Sequence, residues 1–385
     1  MIRHWFLALA TALAALTPGY AQTRAPDVVE TPATHVAILD YATGAMLDCR
    51  ACDTPMPPAS MSKLMTMLLV AEKLKSGAIT LDTRFSVSEN AWRHGAQSDG
   101  SHMFLELNST VAVRDLMRGV VIVSANDACI VLAEGIAGSE AGFVDMMNKR
   151  AQSLGLKTAR FRNTTGLPDP DHVISAADLA RLAAEIIRAH PDLYRMYAER
   201  DFTFNGKTQQ NRNPLLGKVA GADGVKTGHT AASGYGMIGS AERNGVRRII
   251  VFNGLPTMAA RAAEAQRLMN AAFFDFSVSE VAAKGEKLGE AQVWLGGRKT
   301  VSLVAPEAIQ IAAHRSIASG LKASIRYQGP LPAPIKAGDR VAELVIEGPG
   351  YETRSFPLVA GEKVGRRNVF GRAAAGAGAL FGAGS

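Results

Sequence analysis

Pro57-Pro58-Ala59-Ser60-Met61-Ser62-Lys63-Leu64-Met65-Thr66 is the stretch on which the reading of this chain turns. Two prolines end whatever precedes them. Ser60 then stands at the mouth of an apolar segment, with Lys63 three residues on. Helix positions i and i+3 share a face, so the Ser60 hydroxyl and the Lys63 amine are predicted to meet in one cleft. A hydroxyl is a poor nucleophile until a neighbouring base takes its proton. A lysine kept neutral by burial or by other cations can be that base. Leu64, Met67, Leu68, Ala71 and Leu74 keep helical spacing, and Gly77 is a suitable stop.

Alone, Ser-x-x-Lys is a weak pattern. It recurs at Ser319-Gly320-Leu321-Lys322 in β-like surroundings, and Ser-x-Asn recurs at Ser88-Glu89-Asn90. Order and context give the signal its strength. Ser124-Ala125-Asn126 interrupts two helical segments, one through Leu116, Val120 and Val123 with Thr110 as its expected cap, the other Asp127 to Ile136. Lys226-Thr227-Gly228, a triplet that occurs once, leads through His229 and Thr230 toward a strand. Ser-x-x-Lys with its candidate nucleophile and base, the Ser-x-Asn helix break and the Lys-Thr-Gly strand form the trio of motifs found in serine β-lactamases and penicillin-binding proteins.

Each residue also has a plainer reading. Ser124 and Asn126 fit helix caps, Lys226 a solvated strand-end charge, and His229 a surface residue. Arg212 fits a structural ion pair better than a receptor for a substrate carboxylate. Taken jointly, chemistry prevails for Ser60, Lys63, Ser124, Asn126 and Lys226, and both readings stay open for His229 and Arg212.

Around these motifs the chain reads as mixed. His35–Asp40 and Ala45–Asp48 are predicted as a strand pair about a turn at 41–44, and residues 78–109 as irregular and polar. Ser139–Leu154, the segment capped by Ser175, and Thr257–Phe274 are predicted helices. Asp201–Phe204 with Asn205-Gly206 predicts a hairpin; Tyr235–Ser240 and Arg248–Phe252 predict strands. Beyond 276 short alternating runs predict a small β domain. Asn163-Thr164-Thr165 matches a glycosylation pattern of little weight here.

Arg3, His4, an apolar run to Thr17 and the small residues of Gly19-Tyr20-Ala21 read as a secretory leader over 1–21. The rest of the 385-residue chain is too long for one core, so two domains are expected. The net charge of +7 is spread without a basic block or interleaved aromatics, which speaks against nucleic-acid recognition. Cys49 and Cys52 have redox-motif spacing without the strand-to-helix context; a local disulfide and two thiols stand level. Cys129, in an apolar helix, reads as a buried small hydrophobe.

The sequence resembles the low-molecular-mass penicillin-binding proteins that act as D-alanyl-D-alanine carboxypeptidases. Pro57–Thr66, Ser124–Cys129, Phe202–Gly206, Asn211-Arg212-Asn213 and Lys226–Thr230 match family segments in family order, strongly over 34–275. The resemblance implies an α+β catalytic domain over 22–275, an antiparallel sheet with helices packed on it, and a small all-β domain over 276–363. It implies a serine peptidase that removes the terminal D-alanine of peptidoglycan pentapeptide stems, without metal or cofactor, in the periplasm, with β-lactams acylating the same serine. Ser60, Lys63 and Ser124 are then catalytic. Asn126, Lys226, Thr227, Gly228, His229, Thr230 and Arg212 line the substrate site, and the N–H groups of Ser60 and His229 form the oxyanion hole.

Two rivals are weighed. A serine β-lactamase of class A type needs a deacylating glutamate, and none lies between Glu140 and Glu185. A silent wall-binding protein would not need all the motif residues. Residues 364–385 carry Arg366, Arg367 and Arg372 ahead of an apolar face that suits an anionic membrane surface, while the five glycines from Gly371 onward weaken any helix there; an anchor and a disordered tail stand level.

Overall fold

A computed structural model describes residues 29–96 and 100–367. The expected leader at 1–21 and most of the expected membrane tail lie outside the described residues. The chain divides into two compact units, one covering 27–276 and the other built from 277 onward.

In the first unit a five-stranded sheet runs in the order β2 (Met46–Arg50), β1 (His35–Asp40), β9 (Val246–Leu255), β8 (Gly234–Arg243), β7 (Ala222–Thr230). Each pairing is antiparallel. In β1, Val36, Ala37, Ile38 and Leu39 are all buried, as are Ile249 to Phe252 in β9. Strands covered on both faces can be apolar at every position, which is why these two read as continuous runs. Ala37, Leu39, Ile249 and Val251 join the main core, which includes α1 (Lys63–Lys75), α3 (Val113–Ile122), α4 (Asn126–Ala137), α5 (Glu140–Ser153) and α6 (Ala176–Ala189). The helix α8 (Met258–Phe274) packs on β8 and β9. Ser139, Ser175 and Thr257 cap α5, α6 and α8 through their hydroxyls, as their sequence contexts predict.

Three local expectations are corrected. Residues 78–109 are not wholly irregular: they hold β3 (Arg84–Ser86), paired with β4 (Thr110–Ala112), and α2 (Glu89–Ala96). Thr110 is therefore a strand residue, and Ala112 holds the N-cap position of α3 without a side-chain bond. The opening stretch does not start the α-helix directly. Ala59–Ser62 form a 3₁₀ turn, and α1 begins at Lys63.

The predicted hairpin forms as β5 (Asp201–Phe204) and β6 (Lys207–Gln210), below the short α7 (Pro191–Tyr194) in chain order. Cys49 and Cys52 form a disulfide, and Cys129 is fully buried.

The second unit is β-rich. A six-stranded sheet runs β14 (Lys322–Arg326), β16 (Arg340–Gly348), β17 (Tyr351–Ala360), β12 (Thr300–Val304), β11 (Lys287–Trp294), β15 (Leu331–Pro332), and β10 (Phe276–Ala282) pairs with β13 (Ile309–His314). Val301, Leu303, Leu344, Ile346 and Leu358 form part of its separate core. The decoy motif falls here: Ser319 closes the one-turn α9 (Arg315–Ala318) and Lys322 begins a strand, exposed. Among the described residues no helix is long and apolar enough to cross a membrane.

Candidate active site

The site forms where β7, the sheet's edge strand, meets the turn that carries Ser60. Ala59, directly after the prolines, lies in the left-handed region at φ +48°, and the turn holds Ser60 half-exposed over buried Lys63. A non-glycine residue held there costs about 1–2 kcal/mol and needs support on both sides. Gly228 supplies one side: a Cβ there would lie 2.8 Å from the Pro58 carbonyl oxygen and 3.2 Å from Ala59 Cβ. Gly166 supplies the other: a Cβ there would lie 2.7 Å from Ser62 Oγ and closer still to the Ala59 carbonyl.

The Lys63 amine has three acceptors around it. Nζ donates to Ser60 Oγ at 2.9 Å, to Asn126 Oδ1 at 2.8 Å, and to the Thr165 carbonyl. Asn126 is therefore more than a helix cap: it opens α4 and its side chain reaches across to the base. Burial lowers the Lys63 pKa to about 8; Arg212 pushes it further down, while Cys129 and Asp127 push it up. Of the two causes offered from sequence, burial thus outweighs the neighbouring cations.

Ser124 sits in the left-handed region at φ +65°, and its buried Oγ has no hydrogen-bond partner among the described residues. A hydroxyl held dry and unpartnered is costly unless a ligand completes it. Lys226 is buried and donates to the Thr227 carbonyl at 3.0 Å. Burial holds its pKa well below the lysine range, and the charges of Lys63 and Arg212 lower it further. It is therefore no solvated strand-end charge. Thr227 and Gly228 are buried, Thr230 is half-buried, and His229 is exposed with its ring stacked on Tyr235 at 3.8 Å.

Arg212 departs from expectation. Among the described residues it pairs with no carboxylate; its guanidinium donates to Ser101 Oγ, and burial lowers its pKa. Among the described residues the structural ion pair favoured from sequence is absent, and the charge of Arg212 lowers the pKa of both Lys63 and Lys226.

Sequence reasoning missed the loop 163–166. Asn163 Oδ1 accepts from the Thr165 and Gly166 amides at 3.2 and 2.7 Å, and Glu140 Oε1 accepts from the Thr164 amide and hydroxyl at 2.9 and 2.8 Å. The loop then offers the Thr164 carbonyl to Thr66 and the Thr165 carbonyl to Lys63. The glycosylation-like triplet thus holds the Lys63 amine, and Asn163 Nδ2 is itself engaged with the Leu167 carbonyl. Asp127 was also missed: its buried carboxylate accepts from the Met103, Leu105 and Ala128 amides and holds segment 103–105 against α4. Asn-Thr-Thr-Gly was a turn signal in the sequence, yet nothing local tied it to Lys63.

The glutamates that bound the empty interval in sequence are both engaged elsewhere, Glu140 with Thr164 and Glu185 with Arg150 at 3.4 Å.

A family model described as D-alanyl-D-alanine carboxypeptidase matches residues 21–257, and one described as the C-terminal domain of penicillin-binding protein 5 matches 276–366. D-alanyl-D-alanine carboxypeptidase DacA of Haemophilus influenzae is 38% identical over 340 residues, 87% of this chain and 86% of the relative. The crystal structure of penicillin binding protein 5 from Haemophilus influenzae superposes with a TM-score of 0.77 at 37% identity, covering 88% of this chain and 100% of that one. Penicillin-binding protein D2 from Listeria monocytogenes in its ampicillin-bound form gives 0.57 at 30% identity, covering 64% and 98%. With a serine–lysine pair at the mouth of α1, a polar break before α4 and a basic edge strand beside both, the chain belongs to the D-alanyl-D-alanine carboxypeptidase family of penicillin-binding serine peptidases.

Proposed function

We propose that Ser60 is the nucleophile that removes the terminal D-alanine from peptidoglycan pentapeptide stems, with Lys63 as its base. The observation that carries this assignment is the Lys63 amine bonded at once to Ser60 Oγ and Asn126 Oδ1. Neutral Lys63 takes the hydroxyl proton as Ser60 Oγ attacks the D-alanyl carbonyl. The N–H groups of Ser60 and His229 receive the oxyanion. As the C–N bond breaks, the proton on Lys63 passes through the Ser124 hydroxyl to the departing amine. Water then attacks the acyl-enzyme, with Lys63 and Ser124 working in the reverse sense.

The substrate lies along edge strand β7 as an added strand. Its terminal carboxylate faces Lys226, Arg212 and the Thr227 hydroxyl. A carboxylate beside Lys226 raises that amine's proton affinity, and a proton held there lowers the affinity of Lys63, readying the base. A cavity of about 450 Å³ beside His229 and Thr230, lined also by Met56, Pro57 and Tyr235, gives room for more of the stem.

β-Lactams acylate Ser60 by the same attack, as the likeness to the ampicillin-bound Listeria protein supports. The chain is exported, with 1–21 as leader, 22–275 as the catalytic domain and 276–363 as the β domain. Residues 364–385 touch the anionic outer face of the inner membrane. The test is incubation of wild type and Ser60→Ala with a pentapeptide stem and labelled penicillin. D-Alanine release and the covalent adduct are both expected to vanish in the variant; release at the wild-type rate overturns the assignment.

A further inference from the structure

The β domain holds the start of the tail in a clamp. Val364 bridges Ile335, with N···O distances of 2.9 and 3.0 Å, and Arg366 bridges Gly296. Gly297 donates to the Gly365 carbonyl and Arg367 to the Leu295 carbonyl, at 2.8 and 2.9 Å. Arg366 Nε reaches the Ala333 carbonyl and Arg367 Nε the Gly296 carbonyl. The direction in which the chain leaves residue 367 is thereby anchored to the end of β11.

At that same end Trp294 is 54% exposed, the most exposed large apolar side chain of the β domain. Its strand partner is Pro332, also exposed, and Ala333 donates to its carbonyl. A tryptophan left in water in a domain that buries Val301, Leu303 and Leu344 is unexplained by folding. Exposed cations belong to the same end of the sheet: Arg298, with a 70% exposed side chain that also lies 3.8 Å from Glu362, its neighbour Lys299, Lys336 and Lys363 beside the Ile335–Val364 bridge, and the two arginines of the clamp. The nearby acids are engaged. Glu362 accepts from the Ser302 amide and hydroxyl at 3.1 and 2.7 Å, and Asp339 from the Lys336 amide at 2.8 Å.

An exposed indole with exposed cations at the same end of a sheet is the surface chemistry of the lipid–water interface: the indole sits among headgroups and the cations meet anionic lipid. We propose that the Trp294 end of the β domain is itself a docking surface for an anionic lipid bilayer, with Trp294 entering the interface and Arg298, Arg366 and Arg367 facing phosphate groups. This rests on the reading of an exported protein that meets the inner membrane. It goes beyond the tail, because the contact lies in the folded domain. Charge complementarity and the continuity of the clamp with an arginine-led apolar tail select lipid over a protein partner. The consequence is geometric: two contacts at one end of the β domain restrict its tilt on the membrane, where a tail alone would act as a flexible tether.

The test uses the chain from residue 22 onward, without the leader, with Trp92→Phe, so that Trp294 is its only indole. Vesicles of phosphatidylglycerol and phosphatidylethanolamine should shift its emission to shorter wavelength, and brominated lipids should quench it. Phosphatidylcholine alone should do neither. Trp294→Ala should weaken vesicle partitioning roughly tenfold, and Arg298→Gln or Arg366→Gln about fivefold each, with the effect fading as salt rises. Flotation of this chain without quenching of Trp294 overturns this proposal and leaves the tail as the only anchor. Quenching that survives a stop after Arg367 supports the surface and removes the need for the tail. Failure to float on anionic vesicles overturns both.

Discussion

Gly228 and Pro58 stand so close that a single added methyl would come within 2.8 Å of the Pro58 carbonyl oxygen. The edge strand and the nucleophile's turn are thus seated backbone against backbone. Only glycine allows it. The third residue of Lys-Thr-Gly therefore sets the separation between Ser60 and the strand along which substrate lies. Gly228→Ala is expected to leave the circular dichroism spectrum intact and to slow acylation by labelled penicillin by on the order of a hundredfold, the cost of about 1 Å of misplacement. Unchanged acylation would show that the contact does not position the nucleophile.

The Lys63 amine, lowered to about 8, sets a pH dependence. If its neutral form is the base, as proposed above, acylation should rise about tenfold per pH unit below that value and level off above it. Arg212 lowers Lys63 by its charge, so Arg212→Gln should move the midpoint upward. Stopped-flow acylation across pH checks both. A midpoint that moves down, or a profile that falls through this range, contradicts a neutral-lysine base.

His172 offers a prediction about stability. It is buried, its ring meets Phe161 edge-on at 5.6 Å, and Nδ1 accepts from the Arg162 amide at 3.2 Å. Burial pushes its pKa down to about 4. Between that value and the ordinary 6.5 the unfolded chain binds more protons than the folded one, so stability falls as pH drops through this window. The loss should total about 3 kcal/mol at most. Urea melts at several pH values should show the slope in wild type and a flatter one in His172→Gln. Equal slopes would place the acid sensitivity elsewhere.

Asn163 provides a test of the loop that holds the base. Its Oδ1 gathers two amides and the Thr165 hydroxyl. Asn163→Ala removes this acceptor and should cost about 1–3 kcal/mol. Because the Thr165 carbonyl turns with the loop, the acylation midpoint should also fall as the Lys63 ammonium loses support. A loss of stability with an unmoved pH midpoint would mean that the loop is only scaffold.

The Cys49–Cys52 bridge closes a loop of sequence separation 3. So short a loop restrains the unfolded chain little, and Cys49→Ser with Cys52→Ser should cost about 2 kcal/mol. Thermal melts with and without a reductant measure this. A much larger loss would show that the bridge also supports the segment running from Cys52 to the nucleophile turn.

Much was determined by sequence because the relevant physics is local. A serine three residues before a lysine at an apolar helix mouth, a polar triplet between two helical segments and a basic triplet on a strand are each spelled out within a few residues. Periodicity and capping placed α5, α6 and α8, and alternating runs marked the second unit as β-rich. Spacing alone did not decide between disulfide and thiols at Cys49 and Cys52; backbone proximity did. Tertiary structure alone decided what surrounds the amines. Burial lowers Lys63 and Lys226 more than any charge does, and burial is a property of every chain segment that closes over a site. The Thr165 carbonyl reaches Lys63 across 102 residues of sequence and Asn126 reaches it across 63. Which partner Arg212 meets depended likewise on the segments the fold brought to it; among the described residues that partner is Ser101.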